Sequence, residues 1–353
     1  MNKKLVALAV SAIAAGAASA QTANVTLYGV VDTYVANIRT TAGKNAAGAT
    51  VAGGTVNALD AGGLSGSRWG LRGSEALGGG LNAVFTLENG FDSSTGGLGQ
   101  GGRLFGRQAY VGLTGAFGAL TVGRQYAPIF YTGADADVDG YSNFSTITNQ
   151  FLLAAGGALR NDNAINYKTP NMGGLTANLQ WAMGEVAGNT SAGRILGANL
   201  AYNNGPINAG IGYVDNKNAS GVSAQRTWLV GGSYNAGVAN IGGEYHEIKN
   251  PITGSKWKGW SLGASVPLGA ASLVAQFGQL KNGSAKQTAI NLGANYTLSK
   301  RTDVYARFAN ADNNANAGVE AAGYGGQSQA GTAAAPIFGA DKRIIAAGIR
   351  HRF

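Results

Sequence analysis

Three carboxylates stand two residues apart in the run Asp135-Ala136-Asp137-Val138-Asp139, and the surrounding segment 126–157 carries no base. Aspartates set this closely can do three things. They can form one row of negative charge if the chain is extended there, hold a hard cation such as Ca²⁺ through several oxygens, or simply solvate a loop. The run lacks the Glu at position twelve of an EF-hand loop, where Thr146 stands, so that motif is excluded. Bases occur elsewhere as single arginines. Arg68 and Arg72 share the polar face of their segment, opposite Trp69, and Arg160 lies opposite Ile165 by parity.

Little else in the chain has catalytic potential. Cysteine is absent, which removes a disulfide framework, a thiolate metal site and a Cys nucleophile. The two histidines, His246 and His351, are far apart and neither has a Ser partner suited to nucleophilic catalysis. There is no GxSxG, HExxH or GxxxxGK[ST]. The triple glycine at Gly78–Gly80 precedes a strand, not a helix, and so does not cradle phosphate. Nothing points to an enzyme, a cofactor or a resident metal.

The elements that must position these charges read as strands. Gly accounts for 58 of 353 residues, Pro for 6, and charged residues for only 12%. Residues 1–20 differ in kind. A basic start at Lys3-Lys4, an apolar run and Ala18-Ser19-Ala20 read as a secretory signal peptide cut before Gln21. The apolar run is too short for a spanning helix, which needs about 20 residues. Losing Lys3 and Lys4 takes the bases from 26 to 24 against 17 acids, a net charge of +7. An exported chain without a Lys/Arg cluster does not suggest nucleic acid. Dispersed arginines suggest small anions.

From residue 25 onward, segments of about ten residues alternate apolar and polar side chains. In residues 25–38, Val25, Leu27, Gly29 and Val31 share one face, and Tyr28 and Asp32 the other. A polar loop is expected over 39–63, then strands over 65–73, 81–91, 103–113 and 119–125. Alternation stops over 126–157, resumes at 159 and continues to Phe353. Short turns such as 115–118 alternate with longer polar loops. We count sixteen strands, an even number that closes with both ends on the short-turn side. This is the pattern of an all-β antiparallel transmembrane barrel, in which closure pairs every backbone group and leaves no edge. The break in alternation is expected to fold into the barrel mouth as its third external loop. Tyr28, Trp69, Trp181, Trp257, Trp260 and Tyr296 suit aromatic girdles at the membrane interfaces.

At this point the sequence resembles a family, the trimeric general-diffusion porins of Gram-negative outer membranes, of the betaproteobacterial type. The stretches that carry the likeness are VTLYGVVD (25–32), SRWGLRGSEALGGGLNAVFTLENGF (67–91), GRQAYVGLTGAFGALTVGRQY (106–126) and the terminal IRHRF (349–353). The resemblance implies a homotrimer in outer-membrane lipid, a third loop folded into the pore, and passive diffusion of small ions and hydrophilic solutes. It also implies that Phe353 is read by the barrel-assembly machinery.

Such a pore needs a charged constriction, since partly desolvated ions feel nearby charges strongly. The expected loop acids are Asp135, Asp137 and Asp139. The expected wall charges are Arg68, Arg72, Glu88, Arg107, Arg124 and Arg160. Strict alternation opposes an inward aim for Arg107 and Arg124, which share parity with Val111 and Val122; a bulge or a subunit interface would account for them. The expected function leans to anions. The alternatives are a substrate-specific channel, which needs a lumenal binding track, and a non-conducting structural or adhesive barrel.

Overall fold

The computed structural model describes residues 24–149, 159–319 and 337–353. The expected signal peptide, residues 1–20, lies outside the described residues, as do positions 150–157 of the expected constriction loop.

Seventeen ladder segments pair into one closed antiparallel sheet. Two of them, Gly54–Ala61 and Arg68–Gly78, lie end to end along the first strand and together make β2. The wall therefore has sixteen strand positions. They are β1 (Asn24–Thr40), β2, β3 (Leu81–Gly90), β4 (Gln108–Gly115), β5 (Gly118–Tyr126), β6 (Arg160–Lys168), β7 (Leu175–Ala182) and β8 (Ile195–Asn204), followed by β9 (Ile207–Lys217), β10 (Ser223–Asn235), β11 (Asn240–Lys249) and β12 (Lys256–Leu268). The last four are β13 (Ala271–Asn282), β14 (Ala285–Thr297), β15 (Thr302–Asn313) and β16 (Lys342–Arg352). β16 closes on β1 in a register running from Val30 opposite Arg352 to Thr40 opposite Lys342.

The period of two sorts the side chains by solvent. Val25, Leu27 and Val35 are exposed on the outer face, where hydrocarbon would take the place of water. Asp32, Tyr34 and Ala36, one residue out of phase, are buried on the lumen side. The same holds across the ring, with Leu200, Ile211, Val230 and Leu262 exposed and Asn199, Glu244 and Ser261 buried. Among the described residues no helix is long and apolar enough to cross a membrane, so the strands do the crossing.

The expected polar loop over 39–63 is shorter than that. Gly54–Ala61 continues the wall along the upper half of β1, from Thr40 opposite Gly54 to Thr33 opposite Ala61. Residues 62–67 then leave the wall, because Asp32 offers a better partner than the ladder. Its carboxylate accepts from the backbone N–H of Leu64 and Ser65, each at 2.8 Å, and from Tyr305 Oη at 2.6 Å. Likewise β4 begins at Gln108, not at 103, which leaves Arg103 and Arg107 in the preceding connection.

Candidate pore constriction

The connection between β5 and β6 is the third long one, and it turns inward. Tyr126 ends β5, Pro128 sits in the first turn of the helix α1 (Pro128–Ala136), and the absent N–H of that proline costs nothing there. Ile129, Thr132, Gly133 and Ala136 are buried. The wall accepts the helix because it is built of glycine beneath it. A Cβ at Gly231 on β10 would stand 2.8 Å from Ala136 Cβ, and one at Gly212 on β9 would stand 2.9 Å from Ile129 Cγ1. Only glycine allows backbone and helix to approach this closely.

Beyond α1 the chain follows the wall and is fastened strand by strand. Ser233 on β10 donates to the Asp135 carbonyl at 2.8 Å. Gln276 on β13 donates to Asp137 Oδ1 at 2.7 Å. Asn291 on β14 donates to Asp139 Oδ2 at 2.9 Å, and Arg307 on β15 reaches Asp139 Oδ1 at 2.8 Å. Thr146 and Ser261 share a hydroxyl contact of 2.5 Å. At the far side the N–H of Asn143 donates to the Gly63 carbonyl, and Phe144 packs edge-on against Tyr34 with ring centroids 5.3 Å apart. The described part of the loop thus lines the wall from β8 round to β1, and none of its described hydrogen bonds reaches the lumen face of β3 to β5.

The lumen face of β2 to β6 carries the arginines. Glu88 on β3 is buried, and accepts from Arg107 Nε at 2.7 Å and from Tyr28 Oη at 2.9 Å. Arg107 Nη2 also donates to Tyr126 Oη at 2.9 Å. Arg160 Nη2 donates to the same oxygen at 2.5 Å, with its guanidinium 4.2 Å from the Tyr126 ring centroid. Arg68 stands within electrostatic reach of Arg107 and Glu88. Among the described residues Arg68 makes no side-chain hydrogen bond. Three guanidiniums therefore converge on one carboxylate. Arg72 lies further along β2, exposed, with its guanidinium 5.3 Å from the Tyr28 ring centroid.

The expected site residues fall into separate places. Arg68, Glu88, Arg107 and Arg160 come together. Arg107 escapes the alternation rule because it precedes β4 and is free to turn inward. Arg124 does not join them. The ladder slips between Gly123 and Gln125, and Arg124 is engaged with the Gly106 carbonyl at 2.7 Å and with Asp162 at 2.5 Å. Asp162 also receives Arg103 at 2.8 Å in an exposed setting.

The loop acids do not form one row: Asp137 and Asp139 turn to β13, β14 and β15, and the Asp135 side chain has Asn203 and Lys168 as its polar neighbours. Asp135 lies in the last turn of α1, whereas Asp137 has left the helix. Burial, reinforced by the neighbouring Asp139, pushes the Asp137 carboxyl up to about 7. Asp137 accepts from the N–H groups of Asp139 and Tyr141 as well as from Gln276. Asp139 is paired with Arg307, and both side chains are almost completely shielded from solvent, at 2% and 0% exposure. Their oxygens are thus committed to protein donors that fasten the loop.

What the loop presents to the arginines is aromatic. Tyr126 and Phe130 stack at 4.0 Å, and Tyr131 stands edge-on to both at 6.2 and 5.6 Å. Sequence reasoning missed these rings and Arg307. The signal for Arg307 was available, since it shares inward parity with Asp303 and Tyr305 on one strand.

A closed sixteen-stranded antiparallel barrel with an apolar outer face and an inward-turned loop is the architecture of the outer-membrane β-barrels. The family comparison agrees. A model described as Gram-negative porin matches residues 7–316, and the chain belongs to that family. Its place is the outer membrane. Outer membrane porin protein 32 of Delftia acidovorans is 39% identical over 223 residues, 60% of this chain and 59% of that protein. An outer membrane porin protein of Bordetella pertussis is 36% identical over 238 residues, with the same coverages of 60% and 59%. The match thus spans less than two thirds of the length of these curated relatives. The solved anion-selective porin from Comamonas acidovorans superposes with a TM-score of 0.78 at 32% identity, covering 94% of this chain and 100% of that one. OmpT of Vibrio cholerae superposes with a TM-score of 0.66 at 16% identity and speaks to the fold alone.

Proposed function

We propose that the protein is a passive diffusion channel for small ions and hydrophilic solutes, with a lean to anions. The observation that carries this reading is the convergence of Arg68, Arg107 and Arg160 on the single carboxylate Glu88, across the pore from the fastened part of the loop. Partly desolvated ions passing there meet more fixed positive than negative charge. Asp139 does not offset it, because Arg307 neutralises it on the opposite wall. Similarity to an anion-selective porin supports the same sign.

Further roles follow in this reading. Residues 1–20 direct export and are removed, 21–353 form the barrel, and 126–157 form the constriction loop. Three copies assemble in outer-membrane lipid. Phe353 serves the assembly machinery. Its backbone exchanges hydrogen bonds with Gly29 at 3.0 and 3.1 Å, and its ring lies over Gly29 on the outer face.

The test is conductance and reversal potential in planar bilayers across a KCl gradient. Stepwise ohmic conductance with an anion-side reversal potential is expected. A cation-side potential would refute the lean, saturable flux of one solute would favour a substrate-specific channel, and absence of conductance would refute the channel.

A further inference from the structure

We infer that the constriction distinguishes aromatic from aliphatic carboxylates, holding the carboxylate on the arginines and the ring on Tyr131. The inference rests on the channel reading above and names a solute class for that site. Two independent features meet here. The first is unspent hydrogen-bonding capacity on the basic wall. Arg68 makes no side-chain hydrogen bond among the described residues, and Arg160 donates there from Nη2 alone, which leaves its Nη1 unused. A guanidinium fork matches a carboxylate in geometry as well as charge.

The second is the kind of surface opposite. A constriction suited to inorganic anions alone has no use for aromatic area, yet the loop spends its inward residues on Tyr126, Phe130 and Tyr131. Two of these are already taken. Tyr126 is covered by Arg160 on one side and Phe130 on the other, with its hydroxyl engaged by both Arg107 and Arg160. Tyr131 is not enclosed in this way. It is 42% exposed, and it lies within electrostatic reach of Arg160, Tyr110 and Glu88. A ring beside Tyr131 can place its carboxylate toward Arg68 and Arg160. An offset or edge-on ring pair favours an aromatic solute over a saturated ring of the same size.

The pair of probes is benzoate and cyclohexanecarboxylate, which share charge and carbon count and differ in the π face. Each is titrated against the wild-type channel in a planar bilayer, and the concentration that halves the chloride current is read. Benzoate is expected to act at about two- to tenfold lower concentration, the range that one aromatic pair supports. Tyr131→Leu is expected to bring the ratio close to one, and Tyr131→Phe to retain it. Equal potency of the two probes on the wild type overturns the inference, as does a preference that survives in Tyr131→Leu. The KCl reversal potential of the same wild-type channel tests the anion reading separately, so equal probes with an anion-side potential sink only the aromatic preference.

Discussion

Arg307 and Asp139 meet at 2.8 Å with both side chains shielded from solvent, and this pair holds the inward loop to β15. Asn291 shares the same carboxylate. Removing one partner of a buried ion pair leaves a charge without compensation, at a cost of about 3–5 kcal/mol. Arg307→Met or Asp139→Asn alone should therefore lower the midpoint of heat unfolding and add open-channel current noise. The double variant should recover part of both losses. A double variant as poor as the sum of the singles would show that the pair is not the fastening.

The glycine seat makes a second prediction. A Cβ at Gly231 meets Ala136 Cβ, and one at Gly242 on β11 meets the Ala136 carbonyl. Overpacking of a close-fitted contact costs about 1–3 kcal/mol. Here the other side of α1 is exposed at Tyr131, so part of the strain is relieved by displacement into the pore. Gly231→Val is expected to fold and to carry a smaller single-channel conductance. Unchanged conductance in a folded Gly231→Val channel would mean that α1 does not border the conducting path.

Asp137 supplies a pH dependence. Burial and the adjacent Asp139 raise its carboxyl to about 7, while in a released, solvated loop it titrates near the usual carboxyl value of about 4. A group raised on docking favours the docked loop fully below about pH 4, and that contribution is lost as pH rises through about 7. Amide protection at Asp139 and Tyr141, corrected for intrinsic exchange, should fall across that window and level off above it. Asp137→Asn should flatten the profile. Protection that rises between pH 4 and 7 in the wild type would reverse the assignment.

At the seam of the barrel, a side chain at Gly29 displaces the Phe353 ring. Gly29→Leu and Phe353→Ala should both slow folding into lipid vesicles, followed by the shift between heated and unheated gel mobility. Wild-type rates in both would separate the terminal ring from assembly.

Much of the fold was legible because a barrel strand states its two environments in its own alternation. Val25, Leu27 and Val31 face out and Asp32 faces in, without reference to any other strand. The address of the inward loop was legible for the same reason, as the place where alternation stops. What failed depended on partners distant in sequence. The wall piece at Gly54–Ala61 was hidden in a Gly- and Ala-rich stretch, and the break after it is caused by Asp32 and Tyr305, the latter 273 positions from Asp32. Arg107 defied parity only because β4 starts one residue later. Asp137 and Asp139 were legible as loop acids, but their partners Gln276 and Arg307 lie 139 and 168 positions away. Strand register across the barrel, which the local pattern does not encode, decides which side of the pore those acids serve.

In the proposed channel the arginines facing the lumen from β2 to β6 set the sign of the permeant ion. Reversal potential in a KCl gradient, compared between the wild type and Arg68→Gln/Arg160→Gln, tests it most directly. The wild type should lie on the anion side, and the double variant, which leaves Arg107 balanced by Glu88, should move most of the way to zero. A double variant with the wild-type potential would contradict the claim.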